Sequence, residues 1–94
     1  MPMNCILRIQ MTETDDVTAV ADVVFAAKGY PWTARVIADV PIYVKVGIAP
    51  EATDEDIYIN EFESPLFSVA ADEEVSVLGT DVGKVWLSEV RISS

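Results

Sequence analysis

Apolar and polar positions alternate through the run 34–48, and every even-numbered residue in it is apolar. These residues are Val36, Ala38, Val40, Ile42, Val44, Val46 and Ile48. Because successive side chains of a strand point to opposite faces, the run predicts an extended element with one apolar face and one largely polar face. At about 3.3 Å per residue it is too long for one flat strand of a small domain. Pro41 cannot donate to a ladder and is therefore expected at an edge, a bulge or a corner.

Shorter alternating segments on both sides of this run predict further strands. They cover residues 4–11, 56–60, 66–70, 75–79 and 84–92. Polar or Gly-containing stretches between them predict turns at 12–16 and 71–74, and a hairpin turn at 80–83. Trp32 follows a Gly-Tyr-Pro turn and is expected to cover one end of the core.

Residues 17–27, VTAVADVVFAA, fit two periodicities. Val17, Val20, Ala21, Val24 and Phe25 fall at helical spacing, with Thr14 as a possible N-cap and Gly29 as a possible C-terminal glycine. Read by twos, Val17, Ala19, Ala21, Val23, Phe25 and Ala27 also share one face. The concentration of β-branched residues lowers the helix propensity, so the segment favours a strand.

Together these segments predict seven or eight short strands separated by acidic or Gly/Pro turns. That pattern is typical of an all-β domain, a small antiparallel β-sandwich or barrel of the jelly-roll kind. No internal repeat or linker divides the chain, so residues 1–94 are expected to form a single domain.

Charge restricts the partners. Sixteen acidic and six basic residues give a net charge of −10, which repels both phosphate backbones and anionic membranes. No apolar run is long enough to span a bilayer, and no basic leader precedes an apolar run. We therefore expect no nucleic-acid or membrane partner, and a location in the cytoplasm or in a particle assembled there. The lone Cys5 excludes an intrachain disulfide and is expected to be a buried thiol.

The chain lacks the parts of common active sites. It contains no histidine, and its four glycines occur singly at turns rather than in a phosphate-binding loop. Its acidic pairs are adjacent in predicted loops, where carboxylates normally point into water. The sequence therefore predicts a non-enzymatic protein without a cofactor.

Two binding hypotheses remain open at this level. The acidic loops could supply oxygen ligands for Ca²⁺, with Glu51, Asp54 and Asp56 as the best candidates, although none has the EF-hand spacing. A sugar-binding platform could be formed by the aromatic residues Tyr30, Trp32, Tyr43, Tyr58 and Trp86, but core and rim positions explain them better. On the polar face of the central run, Tyr43 and Lys45 are candidates for a protein contact.

The segment VIADVPIYVKVGIAPEAT, residues 36–53, resembles a pattern in small virion proteins of tailed bacteriophages. Those proteins share an apolar strand, an Asp-containing kink, the letters PIYV, a strand-ending glycine and a P-x-A-T turn. The order of short strands and acidic turns in the second half is similar too, so that the resemblance covers roughly residues 34–90.

This resemblance implies a small β-sandwich that decorates or stabilises the phage capsid, in the virion, by contact with the major capsid protein. It also implies a homo-oligomer, expected to be a trimer. An excess of apolar residues for so small a core agrees with shared surface, and the valine-rich 17–27 segment is the candidate to supply it. The residues predicted to contact partners are Tyr43, Lys45, Glu51, Asp54, Asp56, Asp72, Glu73 and Glu74.

Two alternative functions belong to other classes. An acidic inhibitor that mimics DNA would bind a basic enzyme and would need carboxylates spaced regularly along one face. A carbohydrate-binding β domain would need Trp32, Tyr43 and Tyr58 to line one exposed face.

Overall fold

The computed structural model describes the backbone of residues 6–93 and the side chains of residues 12–90. This part of the chain contains eight strands and no helix. The strands are β1 Ile6–Val17, β2 Val23–Phe25, β3 Trp32–Ala38, β4 Ile42–Gly47, β5 Ile57–Ile59, β6 Leu66–Val69, β7 Glu74–Gly79 and β8 Gly83–Ser93. The predicted all-β fold of seven or eight short strands is confirmed. A helix able to cross a membrane is accordingly not found among the described residues.

The strands form two four-stranded antiparallel sheets that pack together as a sandwich. Sheet A has the order β1-β8-β3-β6, and sheet B has the order β2-β7-β4-β5. The pairs β1·β8, β2·β7, β3·β6 and β4·β5 describe one long hairpin whose tip lies between β4 and β5. This hairpin folds over on itself, so that β3 also pairs with β8 and β4 also pairs with β7. The result is the jelly-roll form of the β-sandwich.

The central run divides at Pro41 into two strands of different sheets. β3 ends at Ala38 in sheet A, and β4 begins at Ile42 in sheet B. Of the three positions expected for Pro41, the structure has the corner. The Pro41 carbonyl accepts hydrogen bonds from the Thr80 amide at 3.0 Å and from the Thr80 hydroxyl at 2.8 Å, which ties this corner to the neighbouring loop.

The apolar face of the central run is core within the two strands. Val36, Ala38, Ile42 and Val44 are buried, and Val40 and Val46 are half-buried. The prediction is wrong for Ile48, which is 73% exposed. β4 ends at Gly47, so the chain has already left the sheet at this residue and no neighbouring strand covers it.

β1 is longer than predicted. Residues 12–16 were expected to form a turn, but they continue β1 as far as Val17 and pair with β8. Polar residues are tolerated there because β1 is an outer strand of sheet A, and Asp16 lies opposite Lys84 in the ladder. Of the predicted strand 4–11, residues 4 and 5 lie outside the described residues, as does the prediction of a buried thiol at Cys5.

In the ambiguous 17–27 stretch the strand interpretation is correct, over a shorter length. Val17 ends β1, a loop follows, and β2 occupies only Val23–Phe25. Val17 and Phe25 are buried, whereas Val20 is 91% and Val24 is 47% exposed. The shared apolar face predicted for the whole stretch is therefore interrupted by the loop.

The stretch 80–83 is not a hairpin turn. β7 lies in sheet B and β8 in sheet A, so the connection crosses from one sheet to the other. Gly83 opens β8 where a Cβ atom would come within 2.6 Å of both the Asp39 carboxylate and a Val40 methyl group. This close approach explains the glycine.

One continuous apolar core fills the space between the sheets. Its largest fully buried members are Ile42, Leu87, Val17, Val36, Val44, Val69, Val75, Val77 and Val85. Trp32 is 7% exposed and belongs to the same cluster, in agreement with its predicted place at one end of the core. The predicted strands 56–60, 66–70, 75–79 and 84–92 correspond to β5, β6, β7 and β8.

Candidate interaction surfaces

The outer face of sheet B carries a groove built by two loops that fold back over the sheet. Tyr43 and Leu78 point outward because their strand neighbours Val44 and Val77 point into the core. The loop between β1 and β2 contributes Asp22, and the loop between β4 and β5 contributes residues 51–54. The open groove between these loops and the sheet has a volume of about 520 Å³. We call this the acidic groove, defined by Asp22, Tyr43, Glu51, Asp54, Leu78 and Thr80.

A buried serine holds both loops to the sheet. Ser76 lies on the outer face of β7 yet is fully buried, because the β4–β5 loop covers it. Its hydroxyl donates a hydrogen bond to Asp22 Oδ2 at 2.6 Å and accepts one from the Ala52 amide at 2.9 Å. One side chain therefore sets the position of both walls of the acidic groove.

Three predicted contact residues meet in this groove. Tyr43, Glu51 and Asp54 all line it, and Lys45 is exposed further along β4 on the same outer face. Sequence reasoning missed Asp22, because it was read as part of an apolar strand. An isolated acid among valines was the only local signal for it.

Two other predicted contact residues use their carboxylates inside their own turns. Asp56 Oδ2 accepts a hydrogen bond from the Thr53 amide at 2.8 Å, and Glu73 Oε1 accepts one from the Ala70 amide at 2.8 Å. Both carboxylates stabilise their own turns through local side-chain-to-backbone hydrogen bonds. They are less available to a partner than Glu51 and Asp54, which accept no hydrogen bond from another described residue.

The last two predicted contact residues lie away from the groove. Asp72 is exposed in the β6–β7 turn, and Glu74 begins β7 opposite Gly47. The acidic pairs thus do not converge on one point. Among the described residues, no group of three acidic or thiol side chains is arranged to hold a metal ion. The Ca²⁺ candidates Glu51, Asp54 and Asp56 therefore do not form such a group.

Trp32, Tyr43 and Tyr58 do not line one exposed face. Tyr43 and Tyr58 are cross-strand neighbours on the outer face of sheet B, with ring centroids 5.5 Å apart and planes tilted by 59°. Trp32 instead points into the core from sheet A. The shared exposed face that a carbohydrate-binding domain would need is absent for these three residues.

A second polar cluster closes the core beside Trp32. Glu89 is 5% exposed, and its Oε1 accepts a hydrogen bond from the Tyr30 hydroxyl at 2.8 Å. The Lys28 ammonium lies 3.8 Å from the same oxygen and 4.8 Å from the centre of the Trp32 ring. A buried carboxylate with a cation and a hydroxyl beside it is a satisfied structural group.

A second concave surface, of about 390 Å³, lies between β5 and β6. We call it the edge groove and define it by Ile57, Tyr58, Ile59, Pro65 and Phe67. Sequence reasoning placed Ile57, Ile59 and Phe67 on strands and named Tyr58 only as a possible sugar-binding aromatic, so it predicted no groove here.

Comparisons with protein-family models, with curated proteins and with solved structures give no significant match. The class of protein rests on the fold: a small acidic jelly-roll β-sandwich.

Proposed function

We propose that this chain is a non-enzymatic structural protein of a tailed-phage virion, where it decorates or stabilises the capsid by binding other proteins. The resemblance of residues 34–90 to small phage virion proteins motivates the proposal. The jelly roll is compatible with it, because this fold recurs in viral capsid proteins, although it also occurs in lectins and enzymes.

The observation that carries the proposal is the acidic groove. It gathers Tyr43, Glu51 and Asp54, with Asp22, on one outward face. Carboxylates around a tyrosine suit a protein surface that presents lysine or arginine, since charge complementarity speeds and orients association. The net charge of −10 also disfavours contact with packaged DNA. The groove therefore fits a basic patch on the outside of a shell, and the major capsid protein is the proposed partner.

Binding to phage heads tests this proposal. Purified protein should sediment with heads of the encoding phage from which it has been stripped, and the bound amount should fall as salt is raised. Replacing Glu51→Gln together with Asp54→Asn should reduce the bound fraction. The matched control is Asp72→Asn with Glu74→Gln, which removes the same two charges outside the groove. Equal binding by both double variants would show that the acidic groove is not the contact.

We propose in addition that the protein forms a homotrimer through the β2 side of the sandwich. Val24 is an exposed valine of β2, and β2 is an outer strand of sheet B. Val20, the other exposed valine of the 17–27 segment, lines the acidic groove and is left out of this interface. An exposed apolar side chain beside an unpaired strand edge is stabilised by covering it. Light scattering should give a trimer for the native chain and a monomer for Val24→Asp, whereas Val82→Asp, at a 74% exposed valine elsewhere, should remain trimeric.

The other two functions have less support. A DNA-mimicking inhibitor needs a regular row of carboxylates, and here the acids lie in separate turns and one groove. A carbohydrate-binding domain needs Trp32 on the surface, and it is buried.

A further inference from the structure

The edge groove is a place where the core of the sandwich is left uncovered. β1 and β2 come together on one side of the sandwich, whereas on the opposite side the outer strands β5 and β6 leave a concave gap. Ile57 belongs to the inward-facing set, because its ladder partner is Val44. Val44 is 0% exposed, but Ile57 is 56% exposed. Phe67, also inward-facing, is only half-buried.

The surface beside the edge groove is also apolar. Phe62, in the loop between β5 and β6, is 64% exposed, and Leu66, the first residue of β6, is 44% exposed. Phe62 has a φ of 61°, a left-handed conformation that costs a bulky residue about 1–2 kcal/mol. Its amide donates a hydrogen bond to the Ala38 carbonyl at 2.8 Å, which holds this conformation. The Phe62 ring therefore lies on the surface, where an apolar segment of a partner can cover it.

The charges around the edge groove determine which partner fits. From residue 46 to residue 83 the chain contains no lysine or arginine, whereas acids are frequent throughout. Glu63 lines the groove itself, where its Oε1 accepts a hydrogen bond from the Asn60 amide at 3.0 Å and its Oε2 accepts none from a described residue. Glu61 lies two residues before it in the same turn. One cation reaches this rim, because the Arg35 guanidinium donates a hydrogen bond at 3.4 Å to the hydroxyl of Ser64, which lines the groove. The carboxylates of Glu61 and Glu63 still give the rim a net negative charge. A second copy placed over this groove would therefore bring acidic rims together, which is repulsive.

We propose that the edge groove binds an extended apolar segment of a different protein, flanked by lysine or arginine residues. Apolar side chains of that segment enter between β5 and β6 and cover Ile57 and Phe67. The flanking cations lie against Glu61 and Glu63, and Phe62 packs on the segment from the side. This surface is distinct from the acidic groove, and the inference needs no virion, so that its test can fail while the proposed capsid function stands.

Three synthetic peptides test the proposal with the full chain. The first has a Val-Ile-Val-Ile-Val centre flanked by two lysines at each end. The second has the same centre flanked by glutamates, and the third keeps the lysines around a Gly-Ser centre. Affinity is measured by fluorescence anisotropy, and the bound surface is located by amide chemical shifts. Ile57→Asp and Phe62→Ser test the groove, and Ile48→Asp is the matched control at an exposed isoleucine elsewhere.

We expect only the first peptide to bind, with the largest shifts at residues 57–59 and 66–67 and with weaker affinity at high salt. Ile57→Asp should weaken binding at least about tenfold, Phe62→Ser should weaken it measurably, and Ile48→Asp should leave it unchanged. Absence of binding, equal binding of the lysine and glutamate peptides, or equal effects of Ile57→Asp and Ile48→Asp would each overturn the proposal. So would a native oligomer that Ile57→Asp converts to monomer, because the occupant would then be a second copy.

Discussion

Replacing Ser76 with alanine should destabilise the protein far more than the loss of one hydroxyl usually does. Ser76 is fully buried and links Asp22 to the Ala52 amide. A hydrogen bond to a carboxylate contributes about 1.5–3 kcal/mol, and an amide left without a partner costs about 1–3 kcal/mol. Because water can reach part of the loop once it loosens, we expect a combined loss of about 3 kcal/mol. The total stability of a domain is only about 5–15 kcal/mol.

The matched control is the same substitution at Ser88. That residue is 8% exposed, and its hydroxyl forms a hydrogen bond with the Thr12 hydroxyl at 3.0 Å. Ser88→Ala should therefore cost only about 1 kcal/mol. Both variants replace a buried serine in a strand by alanine, so the difference isolates the linking role of Ser76.

Urea unfolding and thermal melting measure both costs. Ser76→Ala should lower the urea midpoint with an unchanged m value and should lower Tm by about 12–24 °C, at about 4–8 °C per kcal/mol. Hydrogen exchange at the Ala52 amide should become fast in this variant alone. Equal losses at Ser76 and Ser88, or a protected Ala52 amide in Ser76→Ala, would refute the reasoning that one serine holds the loop.

The remaining predictions concern the core and the backbone. Val44→Asp should abolish cooperative folding, because it buries a carboxylate without a partner at a cost of several kcal/mol. Ile48→Asp should change the free energy of unfolding by no more than about 0.5 kcal/mol. Thermal melting followed by circular dichroism compares the two variants. Gly79→Ala should destabilise by about 1–3 kcal/mol in urea, since its Cβ would lie 2.7 Å from the Asp81 carbonyl oxygen; an unchanged midpoint would contradict the packing. Ala49→Gly should raise the free energy of unfolding by about 0.5–1 kcal/mol, because Ala49 has a φ of 49°. Ala52→Gly, at a buried alanine with negative φ, should lower it. Urea midpoints that rank the two variants in the opposite order would contradict the backbone assignment.

The features that could be predicted from sequence are those that depend on local periodicity. Burial of Val36 and Val44 follows from alternation along a strand. The missing amide hydrogen of Pro41 predicts an edge, a bulge or a corner, and only the structure shows that it is a corner. The wrong prediction that Ile48 is buried also comes from this alternation. Alternation gives the face on which a residue lies but not the point at which the strand ends.

Features that depend on long-range pairing could not be predicted. Asp15 and Asp16 have the composition of a turn, yet the outer position of β1 lets them continue a strand along β8. Residues 80–83 have the composition of a hairpin turn, but the strands they join find partners in different sheets.

The candidate surfaces were only partly predictable for the same reason. Alternation placed Tyr43 on the outer face, and composition marked Glu51 and Asp54. Ser76 and Asp22, however, are 54 residues apart and meet only because two loops fold back over sheet B. The edge groove results from the shortness of β5 and β6, which leaves Ile57 uncovered on a nominally inner face.

We propose that the chain is a structural component of a phage particle. Quantitative mass spectrometry of gradient-purified virions tests it most directly. We predict that the protein remains through repeated purification in a fixed proportion to the major capsid protein, and that a specific antibody reaches it on intact particles. Virions that contain none of it, or only an amount that falls with each purification step, would contradict the claim.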